Sequence, residues 1–431
     1  MTQQAPNYRL DGVYPQRQKG FFMQRVKLPA GVLSSDQATA VADVAERYGR
    51  GIIHLTTRGS MEIHWLKEEE LPSVKRAFAM AGLTSRGACG GAVRGITCAS
   101  QGGERFPLLE SLARRLQRHF TGNPRFEALP KKFKIGIEAD SASGRHLIQD
   151  LGLLLSGVTE GQPHYDVWIA GGLGREPHPS FRLIAGAAEN KIIPIIEAVV
   201  SVYAKHAPPP KRLKFLAKEF GEDKLRNLIE AEPVFGETLP LFTALPEQFV
   251  VDSSKNMRLE LPVFAGQLTA AQLSGIAETA NRIAAGVLMV TADQNIAMQL
   301  LPGFDPATEY KNVREAGLFP ASANSAIFRI CPGSHECCMG LSATREVAGD
   351  ILKSVAEHGT KLTWAISGCP NSCTQPQLAD VGIITSKLIT NEEGEKSPRF
   401  DLYHRRDAGL GTKLHENLTQ DEMIKLLVAE Q

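Results

Sequence analysis

The chain repeats itself. Gly31-Val-Leu-Ser-Ser-Asp-Gln37 reads like Gly266-Gln-Leu-Thr-Ala-Ala-Gln272, 235 positions later. At that spacing Ala42, Ala45, Arg47, Gly51 and Thr56 fall on Ala277, Ala280, Arg282, Gly286 and Thr291 without a gap. Tyr165-Asp-Val-Trp168 pairs with Phe400-Asp-Leu-Tyr403 at 235 again, and Asp150-Leu-Gly-Leu-Leu154 pairs with Asp380-Val-Gly-Ile-Ile384 at 230. A match this long means two copies of one folding unit, related by a pseudo-twofold axis. The 431 residues exceed one ordinary core, so several domains are expected.

Each copy opens as strand, helix, strand. Residues 22–28 have strand composition, 34–47 have helical spacing with Ser34 or Ser35 as N-cap, and 52–66 return to strand composition. Residues 257–261, 269–284 and 287–301 repeat that order. The second part of each copy mixes strands and helices, and Pro208-Pro-Pro210 and residues 239–246 read as connectors. The expected fold class is α+β, a duplicated unit with pseudo-twofold symmetry.

Composition narrows the functional classes. Hydrophobic residues at 43%, charged residues at 22% and a net charge of +1 fit a soluble globular protein with no affinity for nucleic acid. Residues 1–15 are polar, unlike a signal peptide, and no run of eighteen apolar residues suggests a membrane span. A cytoplasmic location is expected. There, seven cysteines point to metal or redox chemistry rather than disulfides.

The two copies differ at their cysteines. The second contains Cys331-x5-Cys337 and Cys369-x3-Cys373; in the first, Asp140 and Gly144 stand opposite Cys369 and Cys373, and only Cys98 has a counterpart, Cys331. Four thiolates in two pairs suit an iron–sulfur cluster. Zinc ribbons favour C-x2-C spacing and redox dithiols C-x-x-C, and neither is present. Zinc and inert buried thiols stay open on spacing alone, as does the choice between Cys337 and its neighbour Cys338. Cys89 reads as a structural thiol.

With Cys331 and Cys337 upstream, Ser367-Gly-Cys-Pro-Asn-Ser-Cys373 resembles the sirohaem-dependent nitrite and sulfite reductase family. Ala379-Asp-Val-Gly-Ile383, Leu55-Thr-Thr-Arg58, Val93-Arg-Gly-Ile-Thr-Cys98, Leu129-Pro-Lys-Lys-Phe-Lys134 and Thr291-Ala-Asp-Gln-Asn295 follow the family's order along nearly the whole chain.

The resemblance implies a fold of two ferredoxin-like half-domains, expected at 16–85 and 236–305, and two mixed α/β domains, expected at 86–235 and 306–431. It implies that Cys331, Cys337, Cys369 and Cys373 hold a 4Fe–4S cluster, that Cys373 also bridges to the iron of sirohaem, and that Cys337 rather than Cys338 is the ligand. The implied activity is six-electron reduction of sulfite to sulfide, with nitrite reduction to ammonia as the alternative. The electron donor would be a separate ferredoxin or flavoprotein.

An oxyanion substrate calls for a cationic pocket. Lys132 and Lys134, two apart in an expected strand, point to one face. Arg58 and Arg94 match family positions for substrate-contacting arginines, and arginine offers a planar, permanently charged fork to oxygens. Arg58 and Arg94 also suit the carboxylates of sirohaem. Thr56, Gln294 and Asn295 are expected cofactor contacts. His54 and His64 alternate along a strand and read as structural. Thr374, Gly95 and His404-Arg-Arg-Asp407 depart from the family pattern without removing a ligand. A relative that oxygenates a corrin precursor fits the paired lysines less well. A non-enzymatic module stapled by zinc or a cluster would carry no haem.

Overall fold

The computed structural model describes residues 8–98, 103–240, 257–319, 327–355 and 361–429. The duplication starts from one local rule. Ser34 caps helix Ser35–Tyr48 through a capping box with Gln37, and Thr269 caps helix Ala270–Ile283 through the same box with Gln272. Each helix lays an alanine-, valine- and isoleucine-rich face on a sheet. Just before each cap the chain takes a left-handed step, Ala30 and Gly31 in one copy and Ala265 and Gly266 in the other.

That step sends a short strand out of its own half. Val32–Ser34 pairs with Val287–Val290 of the second half, and Gln267–Thr269 pairs with Ile52–Leu55 of the first. The first ferredoxin-like sheet therefore runs Val13–Pro15, Phe21–Val26, Met61–Lys67, Ile52–Leu55, Gln267–Thr269. The second runs Arg258–Leu261, Ile296–Gln299, Val287–Val290, Val32–Ser34. One apolar core, containing Leu33, Ile53, Leu268 and Leu288, serves both.

The stretch 52–66, expected as one strand, is a hairpin. The Thr56 hydroxyl accepts hydrogen bonds from the N–H of Arg58 (3.2 Å) and Ser60 (3.3 Å), and Gly59 supplies the positive φ. Residues 287–301 fold likewise, with Thr291 accepting from Asp293 (3.3 Å) and Asn295 (3.1 Å). Where the first copy has Gly59, the second has Gln294 at φ 63°. This Gln occupies a backbone region that favours glycine, and its side chain offsets the cost with bonds described below.

The remaining sheets also match. Thr97–Cys98, Ile135–Glu138 and Leu151–Thr159 run parallel, followed by antiparallel Gln162–Ile169 and Phe181–Ala188. Ile327–Ile330, Thr363–Ser367 and Val381–Thr390 run parallel, followed by antiparallel Lys396–His404 and Thr412–Leu418. Helices Phe106–Phe120 and Glu189–His206 cover the first of these sheets, and Thr344–Ser354 and Gln420–Ala429 the second. This is the α+β, two-fold duplicated architecture expected. Pro208-Pro-Pro210 joins helices Glu189–His206 and Leu213–Phe220, whereas 241–246 of the other expected connector lie outside the described residues.

Lys132 and Lys134 sit just before strand Ile135–Glu138 rather than within it. Between them Phe133 makes one parallel bridge to Val93, so the segment is extended there. Ser34→Ala and Thr269→Ala are each expected to cost about 1 kcal/mol, the usual worth of an N-cap, and to do so equally because the two boxes are equivalent. Urea unfolding of both variants measures this, and unequal losses would show that the two copies are not energetically matched.

Candidate functional site

A cavity of ≈ 390 Å³ opens where the first ferredoxin-like sheet meets the loops after strands Ile327–Ile330 and Thr363–Ser367. Cys331, Cys337, Cys338, Cys369 and Cys373 line it, together with Arg58, Arg94, Lys132 and Lys134. Fold topology alone brings these together, because the basic residues belong to the first half and the cysteines to the second.

The cysteines sit on tightly built turns. Cys331 directly follows its strand, and its sulfur accepts a hydrogen bond from the N–H of Gly368 at 3.2 Å. The Cys337 N–H donates to Gly333 O, and a Cβ at Gly340 would meet the Gly333 carbonyl at 2.2 Å, so only glycine lets the loop fold back. The hydroxyl of Thr57 donates to Cys373 O at 2.8 Å, tying the Thr-Thr-Arg turn to the last cysteine. Burial and the neighbouring Cys373 push the Cys331 thiol up, and burial pushes Cys337 to about 11 and Cys369 upward. These thiols are therefore protonated at neutral pH unless a metal replaces the proton.

Among the described residues, no three His, Cys, Asp or Glu side chains converge on a point as a single-ion site requires. Thiols spread around one cavity suit a polynuclear cluster instead, since such a cluster is held at its corners. Unmatched positive charge on the same cavity fits a cofactor that carries carboxylates. The residues present thus fit both groups.

Each cation is held differently. Arg58 donates to Gln149 Oε1 (3.0 Å) and Gly95 O (2.9 Å) and has no carboxylate partner among the described residues. Burial, reinforced by Arg94 and Arg25, lowers its pKa. Arg94 donates to the carbonyls of Ala88 and Gly90, leaving its Nε buried without a partner. Burial brings Lys132 down to about 8, against the pull of Cys373, and moves Lys134 well down, helped by Lys132.

Thr56 and Gln294 also line the cavity. The Gln294 amide donates to Leu55 O (2.6 Å) and Ile330 O (3.0 Å) and accepts from the Ile330 N–H (2.6 Å), so it stitches the two halves directly behind Cys331. Asn295, expected at the cofactor, lies outside the lining. Its side chain accepts from Val263 N–H and donates to Glu260, because the turn rotates it toward its own sheet. Cys89 and Cys98 are buried in the core. Cys338 is exposed and donates to Pro15 O, and His335 pairs with Glu346.

Several polar residues of the cavity escaped the sequence reading, Arg25, Glu62 and Lys27 among them. Arg25 pairs with Glu62, which also sits 3.4 Å from His64. Although burial alone would raise it, Arg25 and His64 hold the Glu62 carboxyl below its ordinary range. Lys27, two residues after Arg25, is 3% exposed and also lines the cavity. The alternation Arg25-x-Lys27 at a strand end was the available signal.

The chain is similar to known redox proteins. The model for the nitrite/sulfite reductase ferredoxin-like half domain matches residues 14–81, and that for the nitrite and sulphite reductase 4Fe-4S domain matches 97–235. Sulfite reductase (ferredoxin) 2 of Mycolicibacterium paratuberculosis is 25% identical over 96% of this chain and 83% of its own length. The ferredoxin–nitrite reductase of Synechococcus elongatus is 27% identical over 92% of this chain and 82% of its own. The solved structure of the Mycobacterium tuberculosis NirA protein shares the fold, with a TM-score of 0.81 over 97% of this chain and 84% of that one at 23% identity.

Fold, thiol set and cationic cavity together define a redox enzyme of the haem and iron–sulfur class. The chain belongs to the sirohaem-dependent nitrite and sulfite reductase family, with sirohaem and a 4Fe–4S cluster as its cofactors. No helix among the described residues is long and apolar enough to cross a membrane.

The buried His54 supplies a pH test. Burial lowers its pKa to about 3, against an ordinary 6.5 when unfolded. Between those values the unfolded chain binds the proton and the folded chain does not, so stability falls as pH drops from 6.5 toward 3. Denaturant unfolding of His54→Leu should fall less steeply across pH 6 to 4 than the parent, and an unchanged slope would assign the acid lability to other groups.

Proposed function

We propose that this enzyme reduces sulfite to sulfide. The observation that supports sulfite most directly is charge. Arg58, Arg94, Lys132 and Lys134 face one cavity with no carboxylate of the chain in ion-pair distance among the described residues. The cavity's own acids are engaged elsewhere, Glu62 with Arg25 and Glu336 with Arg345. A surplus of buried cations suits sulfite, which carries more charge and one more oxygen than nitrite. Nitrite is the second reading, favoured by the relative named ferredoxin–nitrite reductase.

In this reading Cys331, Cys337, Cys369 and Cys373 would hold the cluster, and Cys373 would also serve the sirohaem. Sirohaem and cluster supply one-electron steps that sum to six electrons. Arg58 and Arg94, fixed by backbone carbonyls, orient the anion's oxygens. Lys132 and Lys134 deliver protons as oxygen leaves as water, a task suited to ammonium groups whose pKa burial has lowered. Thr56 contacts the cofactor, while Gln294 and Asn295 keep the wall in place. A ferredoxin is the electron donor, by analogy with the relatives named for it.

Lys132→Met and Lys134→Met are each expected to lower kcat/KM for sulfite by about 10²-fold or more while leaving cofactor absorbance intact, the scale seen when one stabilising donor is removed. Cys373→Ser should lose both haem absorbance and cluster iron, measured spectroscopically and by iron and sulfide analysis. Sulfite binding should weaken as pH rises through about 8, where Lys132 loses its proton, and Lys132→Met should flatten that step. Efficient turnover of nitrite and none of sulfite would overturn the substrate assignment.

A further inference from the structure

Lys27 is the one cation of the main cavity that also lines a second, smaller pocket, of ≈ 200 Å³. Its ammonium carries three N–H groups and has a single hydrogen-bond partner among the described residues, the Thr121 hydroxyl at 2.7 Å. No carboxylate lies within ion-pair distance of it among the described residues. Glu127, the acid nearest in charge, is held by Arg86 at 2.6 Å. A lysine 3% exposed, with two donors unspent and no counter-ion, is costly unless something negative or strongly polar meets it.

The small pocket offers surroundings of the right kind. Arg114, Gln117 and Arg118 project from helix Phe106–Phe120, and no acidic residue lines it. Arg114 is held by Glu110 at 2.7 Å, whereas Arg118 has no partner among the described residues. The buried Oε1 of Gln117 is unpartnered, and a flipped amide would present a donor instead. Lys27 reaches toward Thr121 along Gly95, where an added Cβ would already touch its Cγ at 3.7 Å. Gly95 follows Arg94 and gives its carbonyl to Arg58, so the Lys27 stem borders the cationic wall of the main cavity.

We propose that this pocket is a second binding station for a small inorganic oxyanion, held between Lys27 and Arg118 and adjoining the main cavity through Lys27. That the anion held there is the substrate in transit rests on the oxyanion-reductase reading; the capacity to bind it does not.

Crystals of the cofactor-loaded enzyme soaked in selenate should show a selenium anomalous peak beside Lys27, lost in Arg118→Ala. In steady state Arg118→Ala, remote from the main cavity lining, should raise the sulfite KM by about fivefold with kcat held within about twofold. Lys27→Met should raise KM by about tenfold or more. No peak at the pocket, or a peak that persists in Arg118→Ala, would overturn the binding station, and KM unchanged in both variants would overturn its role in substrate transit. Failure of the parent reading is seen separately, as cofactor-loaded parent enzyme that reduces neither sulfite nor nitrite while the selenate peak persists.

Discussion

Each half of the chain completes its sheet with a strand from the other half. Val32–Ser34 and Gln267–Thr269 leave their own units at a left-handed step and hydrogen-bond across the pseudo-twofold axis. Exchanged backbone bonds are directional and fix register, so the two hairpin turns that follow are held at set positions relative to the opposite half. Gln294 then clamps Leu55 and Ile330, which places Cys331 next to the Thr-Thr-Arg turn. Without the exchange, basic residues from one half and thiols from the other would have no shared cavity.

The cavity this creates is electrostatically incomplete. Several buried or half-buried cations have no carboxylate partner among the described residues, and desolvation pushes the Cys331 thiol up. Both features are unfavourable for a protein alone, and each is relieved by what the other invites: metal binding turns thiols into thiolates, and anionic groups answer the arginines and lysines. Site and cofactors therefore stabilise each other. The Arg25–Glu62 pair and the histidines beside it form the portion of the wall that is neutralised by the chain itself.

Among the described residues the two halves treat the equivalent positions differently. At the repeat spacing Arg58 corresponds to Asp293, and Arg25 to Glu260. On that side Arg145 donates to Asp293 (2.7 Å) and to Gln375, and buried Arg329 lies 3.9 Å from the same carboxylate. A protein ion network thus takes the place that open cationic groups hold in the first half. With Asp293 where the first half has Arg58, this position of the second half is a closed structural contact.

The sequence by itself determined what is local and periodic. The 235-residue spacing disclosed the duplication, Ser34 or Ser35 marked the start of the first helix, and Cys-x5-Cys with Cys-x3-Cys suited a cluster while leaving other readings open, because capping and ligation depend on residue type at short range. Composition alone blurred the hairpins at 52–66 and 287–301 into single strands, since each turn opens on a strand-favouring threonine and is flanked by apolar, strand-rich runs. Only the tertiary structure decided which copy's basic residues meet which copy's thiols, that Asn295 turns away, and that Lys27 stands between two pockets. Those outcomes depend on strand pairing across more than two hundred residues, and burial and charge balance exist only once that pairing has brought the surfaces together.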